Sequence, residues 1–127
     1  GALRLFKSDR PEYPNGGQMR DFVYVKDCVN VLFWLLEHPE ACGVFNIGSG
    51  KARTWNDLAN AVYAALGRTP DINYIDMPAG LKGRYQYFTE AEMSWLERLG
   101  CDVTFHSLEE GISDYICNYL QKPDPHL

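Results

Sequence analysis

The order of hydrophobic patterns along this chain predicts an α/β fold. Two observations carry that prediction. Short β-branched and aromatic runs at 21–25, 43–47 and 72–75 alternate with apolar segments of helical length, and several of those segments open on a capping sequence. At 127 residues, 46% hydrophobic and 23% charged, the chain has room for one modest core and no low-complexity character.

The elements follow in order. Residues 10–17, with two prolines and an Asn-Gly pair, read as a surface loop inside a domain. Residues 21–25 then read as a short strand and 27–37 as a helix, with Asp27 as its N-cap and Pro39 as its stop. Val29, Val31, Leu32, Phe33, Trp34, Leu35 and Leu36 leave that helix almost no polar face, so it needs cover on more than one side. Residues 43–47 read as a buried strand left through the turn Gly48-Ser49-Gly50. Thr54 and Asp57 form a capping-box-like start for a helix to Leu66, with Leu58, Val62 and Leu66 as its apolar stripe and Gly67 as its end. A strand at 72–75 and a loop from Met77 to Gly83 precede two more capping boxes, Thr89 with Glu92 and Ser107 with Glu110. Those open helices expected over 89–99 and 107–121. Trp34 and Trp55, at helical spacing from other apolar residues, read as core.

Charge and cysteine usage narrow the function classes. The net charge of -5 argues against a nucleic-acid partner, which needs a basic face. Residues 1–84 hold ten Lys/Arg against nine Asp/Glu, whereas 85–127 hold two against eight, so an anionic ligand belongs on the first part. Cys28, Cys42, Cys101 and Cys117 stand far apart with no zinc-ligand spacing, and reduced buried thiols in a cytoplasmic protein are expected. The three histidines are equally scattered, with His126 in a tail expected to fray, and no metal site is expected. The longest apolar run, 31–36, is far too short to span a bilayer, and no basic-then-apolar leader opens the chain. Membrane and secretory classes are therefore not expected.

No catalytic constellation stands out. Gly48-Ser49-Gly50 has Arg53 where a third phosphate-loop glycine would stand, and it reads as a turn needing positive φ. No Ser lies in G-x-S-x-G, and no thiol has a base at a suggestive spacing.

Three stretches do carry a signal: Met19-Arg20-Asp21-Phe22-Val23-Tyr24-Val25-Lys26-Asp27, Val44-Phe45-Asn46-Ile47-Gly48-Ser49-Gly50, and 78–89. Together they resemble the C-terminal part of the extended short-chain dehydrogenases/reductases, the nucleotide-sugar epimerases and dehydratases. Within the third, Leu81-Lys82-Gly83-Arg84-Tyr85-Gln86 followed by Phe88-Thr89 resembles the ADP-L-glycero-D-manno-heptose 6-epimerases, as do Leu96-Glu97-Arg98-Leu99-Gly100 and Ser107-Leu108-Glu109-Glu110-Gly111-Ile112.

The resemblance implies that residues 1–127 form the C-terminal substrate-binding portion of a Rossmann-type enzyme, including sheet-edge elements of the larger domain. The activity implied is NADP-dependent inversion at C6 of an ADP-heptose by transient oxidation and re-reduction, in lipopolysaccharide precursor synthesis. The family's cofactor loop and catalytic Tyr-x-x-x-Lys lie in an N-terminal half, and no tyrosine here has a Lys four residues later. Alone, the chain is expected to bind no NADP and to be catalytically silent. The family's substrate-binding positions fall on Arg20, whose guanidinium fork suits diphosphate oxygens, on Tyr85, and on Phe6, Lys7, Ser8 and Asp9, with Arg84 as a further anion contact. Asn46 and Gly48 to Gly50 are expected to be structural. An exposed strand at 44–47 would make the chain a homo-oligomer. A UDP- or dTDP-sugar enzyme and a non-catalytic binding or oligomerisation module are the alternatives.

Overall fold

A computed structural model describes residues 1–124 of the chain, so His126 lies outside the described residues. Its elements are β1 (Leu3–Phe6), β2 (Met19–Arg20), α1 (Val25–Glu37), β3 (Arg53–Thr54), α2 (Trp55–Ala65), β4 (Ile72–Ile75), α3 (Ser94–Arg98) and α4 (Leu108–Tyr115), the last running into a π-helical turn, Ile116–Leu120. β1 and β4 pair in parallel, with Leu3 opposite Ile72 and Phe6 opposite Ile75. β2 and β3 form a minimal antiparallel pair, Met19 opposite Thr54.

α2 packs against β1 and α4. The Thr54 hydroxyl accepts from the Asp57 N–H (3.0 Å) while the Asp57 carboxylate accepts from the Thr54 N–H (3.0 Å), a complete capping box. At the other end Gly67, at φ +63°, lets the Gly67 and Arg68 N–H groups reach the Ala64 and Tyr63 carbonyls. The buried residues of α2 are Ala59, Ala61 and Tyr63. The expected stripe Leu58, Val62 and Leu66 is only half-buried. Small alanines allow close approach of β1, and the Tyr63 hydroxyl ties the sheet by donating to the Asp71 carbonyl (2.5 Å) and accepting from Leu3 N–H (3.2 Å).

α1 belongs to a separate cluster. Val31, Trp34 and Leu96 are buried, with Phe45, Ile47, Met93, Val103 and Phe105 packed around them. Asp27 is not the N-cap. That position is Tyr24, which makes no side-chain cap, and Asp27 sits inside the first turn, fully buried. Its carboxylate accepts from the His106 N–H (2.9 Å) and pairs with His106 Nδ1 (2.6 Å), binding α1 to the approach of α4.

Several expectations are corrected. Residues 21–24 and 43–47 form no strand, and Val44 is 89% exposed. No neighbouring strand among the described residues offers 43–47 a ladder, so the run adopts an irregular path and sends only Phe45 and Ile47 toward the core. The edge expected to self-pair is therefore absent there. β1 escaped the sequence reading because four residues without flanking turn signals carry too little pattern. The helix expected from Thr89 begins only at Ser94, with Met93 as an N-cap that makes no side-chain bond. The Thr89–Glu92 box is not formed, since Thr89 N–H goes to the Met19 carbonyl (3.3 Å) and the Glu92 carboxylate accepts from the Ser94 N–H (2.9 Å) and hydroxyl (2.8 Å). The Ser107–Glu110 box is formed as expected. The cysteines are all free, but none is buried: Cys42 and Cys117 are exposed and the other two half-buried.

Candidate functional site

The pairing of β2 brings distant residues together. Met19 N–H donates to the Tyr87 carbonyl (2.8 Å) and Thr89 N–H to the Met19 carbonyl (3.3 Å), which draws 85–89 alongside Arg20. The Arg20 guanidinium stands 5.2 Å over the Tyr85 ring. Phe6, at the end of β1, meets Tyr85 edge to face at 6.0 Å. Arg20 Nη1 donates to the Met19 carbonyl (2.7 Å), one of five donors on the group. A half-buried cation with spare donors beside an aromatic face can hold an anion carried on a ring-bearing ligand.

Other predicted site residues are used by the fold itself. Lys7 Nζ pairs with Asp76 at 3.0 Å, and Lys7 N–H extends the ladder to the Ile75 carbonyl (2.8 Å). Ser8 N–H donates to Asn15 Oδ1 (2.9 Å), and the Ser8 hydroxyl donates to the Arg10 carbonyl (2.8 Å), both inside the 7–18 loop. Asp9 accepts from the Tyr87 hydroxyl, and this hydrogen bond holds its exposed carboxyl below the usual carboxylate range despite some desolvation. Arg84 is exposed, and its N–H donates to the Leu81 carbonyl (3.0 Å) in the turn below Tyr85. The structure thus joins Phe6, Arg20 and Tyr85 directly and Asp9 through Tyr87, and it sets Lys7, Ser8 and Arg84 around them in other roles.

Two residues of this region were not singled out from sequence. Tyr87, buried at 4% exposure, touches Tyr85 (5.8 Å) and Tyr13 (4.9 Å), lies under the Arg10 guanidinium (4.7 Å), and accepts from Asp9 N–H (2.9 Å). Gln18, next to the Met19 whose N–H meets the Tyr87 carbonyl, is fully buried. The alternation in Tyr85-Gln86-Tyr87 was the available signal for Tyr87, since period 2 puts both rings on one side.

The Gly48-Ser49-Gly50 turn answers whether this chain cradles a dinucleotide. Its amides already have an anion: the Asp21 carboxylate accepts from Ser49 N–H (2.8 Å), Ser49 hydroxyl (2.5 Å), Gly50 N–H (2.9 Å) and Ala91 N–H (3.0 Å). Burial pushes the Asp21 carboxyl up, but these hydrogen bonds outweigh it and leave it below the usual range. A Cβ on Gly48 would land 2.5 Å from that carboxylate, and Gly50 takes φ +67°. The turn is a nest for an internal carboxylate, and its Ser49 and Gly50 amides are already taken. No group of three or more His, Cys, Asp or Glu among the described residues could hold a metal ion. No helix among them is long and apolar enough to cross a membrane.

Residues 3–48 match the model of the NAD dependent epimerase/dehydratase family. The chain is 58% identical over all 127 residues to an ADP-L-glycero-D-manno-heptose-6-epimerase of Nitratidesulfovibrio vulgaris, of which it covers 39%. It is 44% identical over 133 aligned residues to the protein of that name from Fusobacterium nucleatum, covering all of this chain and 40% of that one. The chain therefore spans about two fifths of the length of these curated relatives. The solved structure of Helicobacter pylori ADP-L-glycero-D-manno-heptose-6-epimerase superposes on 92% of the chain and 32% of its own length, with a TM-score of 0.66 at 29% identity. A UDP-N-acetylglucosamine 4-epimerase of Methanobrevibacter ruminantium shares the fold over 89% of the chain and 33% of its own, with a TM-score of 0.69 at 24% identity. The α/β arrangement is thus part of the Rossmann-type fold of these epimerases, and over its whole length the chain is similar to part of them.

Proposed function

We propose that this chain is the C-terminal, substrate-holding portion, residues 1–127, of a cytoplasmic NADP-dependent enzyme that interconverts ADP-D-glycero-D-manno-heptose and ADP-L-glycero-D-manno-heptose. The observation that carries the reading is the convergence of Arg20, Tyr85 and Phe6, three of the family's substrate positions, from three separate segments. Identity of 58% across the whole chain to a heptose epimerase supports the ADP-sugar over a UDP- or dTDP-sugar.

In this reading Arg20 binds the diphosphate, Tyr85 closes the rim beside it, and Phe6 walls the approach. Asp9 acts through Tyr87 to fix the rim. Lys7, Ser8 and Arg84 set the outer loop, Arg84 adding positive charge toward the anion. The nicotinamide cofactor sits on a portion outside this chain, as does the redox chemistry, so the chain alone positions a substrate and turns nothing over. Four free cysteines support a reducing compartment. Self-association is part of the reading, supported by the exposed Leu32, Phe33 and Leu36 of α1. A strictly monomeric sedimentation profile at high concentration would count against it.

Calorimetric titration with ADP-mannose tests the substrate, with UDP-galactose and NADP as comparisons. Part of a site binds at about the millimolar level, near -4 kcal/mol. ADP-mannose binding that disappears in Arg20→Ala, with no response to the comparisons, is the expected result. Preference for the uridine diphosphate would move the assignment to another nucleotide sugar, and epimerisation by the isolated chain would refute the division of labour.

A further inference from the structure

A cavity of about 570 Å³ lies between residues 21–25, α2 and α4, and none of Phe6, Arg20 and Tyr85 lines it. Its walls are apolar: Phe22, Val23, Leu58, Ile112 and the rings of Tyr24 and Tyr115. Gly111 lets α4 come close to the 21–25 segment, since a Cβ there would stand 3.1 Å from Tyr24 Cβ. Three polar side chains of the lining are engaged by the fold. Asp21 is held in its nest, the Tyr24 hydroxyl donates to Asp114, and the Ser107 hydroxyl donates to the Glu110 carboxylate (2.8 Å).

His106, which also lines the cavity, is engaged on one side of its ring only. Nδ1 stands 2.6 Å from the fully buried Asp27 carboxylate, which also accepts from the His106 N–H (2.9 Å). A carboxylate has no proton to give, so the proton between them sits on Nδ1, and in the neutral ring Nε2 is left as a bare acceptor. Nε2 meets no donor among the described residues. The ring is also held edge to face against Tyr24 at 5.5 Å, and its side chain is 43% exposed, open to an incoming molecule.

We propose that this cavity is a second binding site, apart from the Arg20 site, for a neutral, flat ring compound whose hydroxyl donates to His106 Nε2. The inference does not rest on the substrate reading above. The volume falls within the roughly 300–1,000 Å³ of pockets that take small molecules. Phe22, Tyr24 and Tyr115 offer aromatic surface to a ring. No Lys or Arg lines the cavity, so an anion finds no counter-charge there. Asp21 is already satisfied, so a cation finds no free carboxylate. A bare nitrogen acceptor at the edge of an apolar space selects a ligand that brings one donor on an apolar body.

The test is ¹⁵N nuclear magnetic resonance of the imidazoles of the chain at mildly alkaline pH, titrated with 2-naphthol and, separately, with naphthalene, which has the same rings and no hydroxyl. His106 is expected to carry its proton on Nδ1, and its Nε2 resonance to move with 2-naphthol alone, while His38 stays still. 2-Naphthol is expected to bind about tenfold more tightly than naphthalene, the size of one hydrogen bond. His106→Phe is expected to erase that preference and to keep naphthalene binding, which also shows that the variant is folded. Ile112→Trp, which fills the cavity, is expected to abolish binding of both ligands while the His106 resonances stay as in the parent. If His106→Phe does not fold, the Nε2 response of the parent and Ile112→Trp carry the decision. A proton found on Nε2, naphthalene bound as tightly as 2-naphthol, or undiminished binding to Ile112→Trp overturns the inference.

Discussion

α1 and α2 are of similar length, 13 and 11 residues, yet they are held in opposite ways. α2 is closed at both ends, by the Thr54–Asp57 box and by Gly67, and its buried face meets β1 and α4. α1 has no side-chain N-cap. It is gripped along one side by Trp34, Val31 and the Asp27–His106 pair, while Leu32, Phe33 and Leu36 stand 54%, 61% and 77% exposed. The contrast teaches that an apolar helix can be fixed by a narrow seam. Here α2 is satisfied by its own chain, and α1 is satisfied over only part of its circumference.

Substitutions can break or sharpen that contrast. Leu96→Ala, at the centre of the α1 seam, is expected to cost about 2–5 kcal/mol in urea unfolding, since it empties a space with no exposed side to collapse into. A loss below 1 kcal/mol would mean the seam is not what holds α1. Asp21→Ala, which strips the acceptor from the segment leading into α1, is expected to cost about 1–3 kcal/mol at neutral pH. Its folded carboxyl lies below the ordinary range, so its contribution is complete above the unfolded value of about 3.9 and is lost as pH falls through the lower folded value. The variant should therefore show a flatter acid limb than the parent, and matching acid limbs would remove that assignment. Thr54→Ala should cost about 1 kcal/mol through the α2 cap, whereas Tyr24→Phe has no cap of α1 to lose. At the small end, Leu36→Lys should change stability by less than about 0.5 kcal/mol, because that position has little left to expose. A large loss there would show that α1 is covered in solution.

What the sequence made readable was local. The boxes at Thr54 and Ser107 formed with both partners within four residues, whereas the equally local Thr89–Glu92 pair did not, because a distant partner, the Met19 carbonyl, takes the Thr89 N–H. Helix α1 was legible from its apolar run, but its missing cover was not, since hydrophobicity states a demand without stating who meets it. Residues 43–47 failed as a strand for the reason that β1 was missed: a strand exists only through its neighbour, and neighbours are non-local. Arg20 and Tyr85 stood out only through the resemblance of the stretches that hold them, while their meeting depends on β2 pairing alongside 87–89. Trp55, read as core, is half-buried, packs against Phe22 and borders a cavity, a detail that helical spacing does not carry.

The Asp21 nest has a further consequence. Ser49, Gly50 and Ala91 are scattered over more than forty residues of sequence, yet their amides all end on one carboxylate. In deuterated water such amides exchange only when their shared acceptor lets go. The three should therefore take up deuterium on one clock, and acid that protonates Asp21 should release them together.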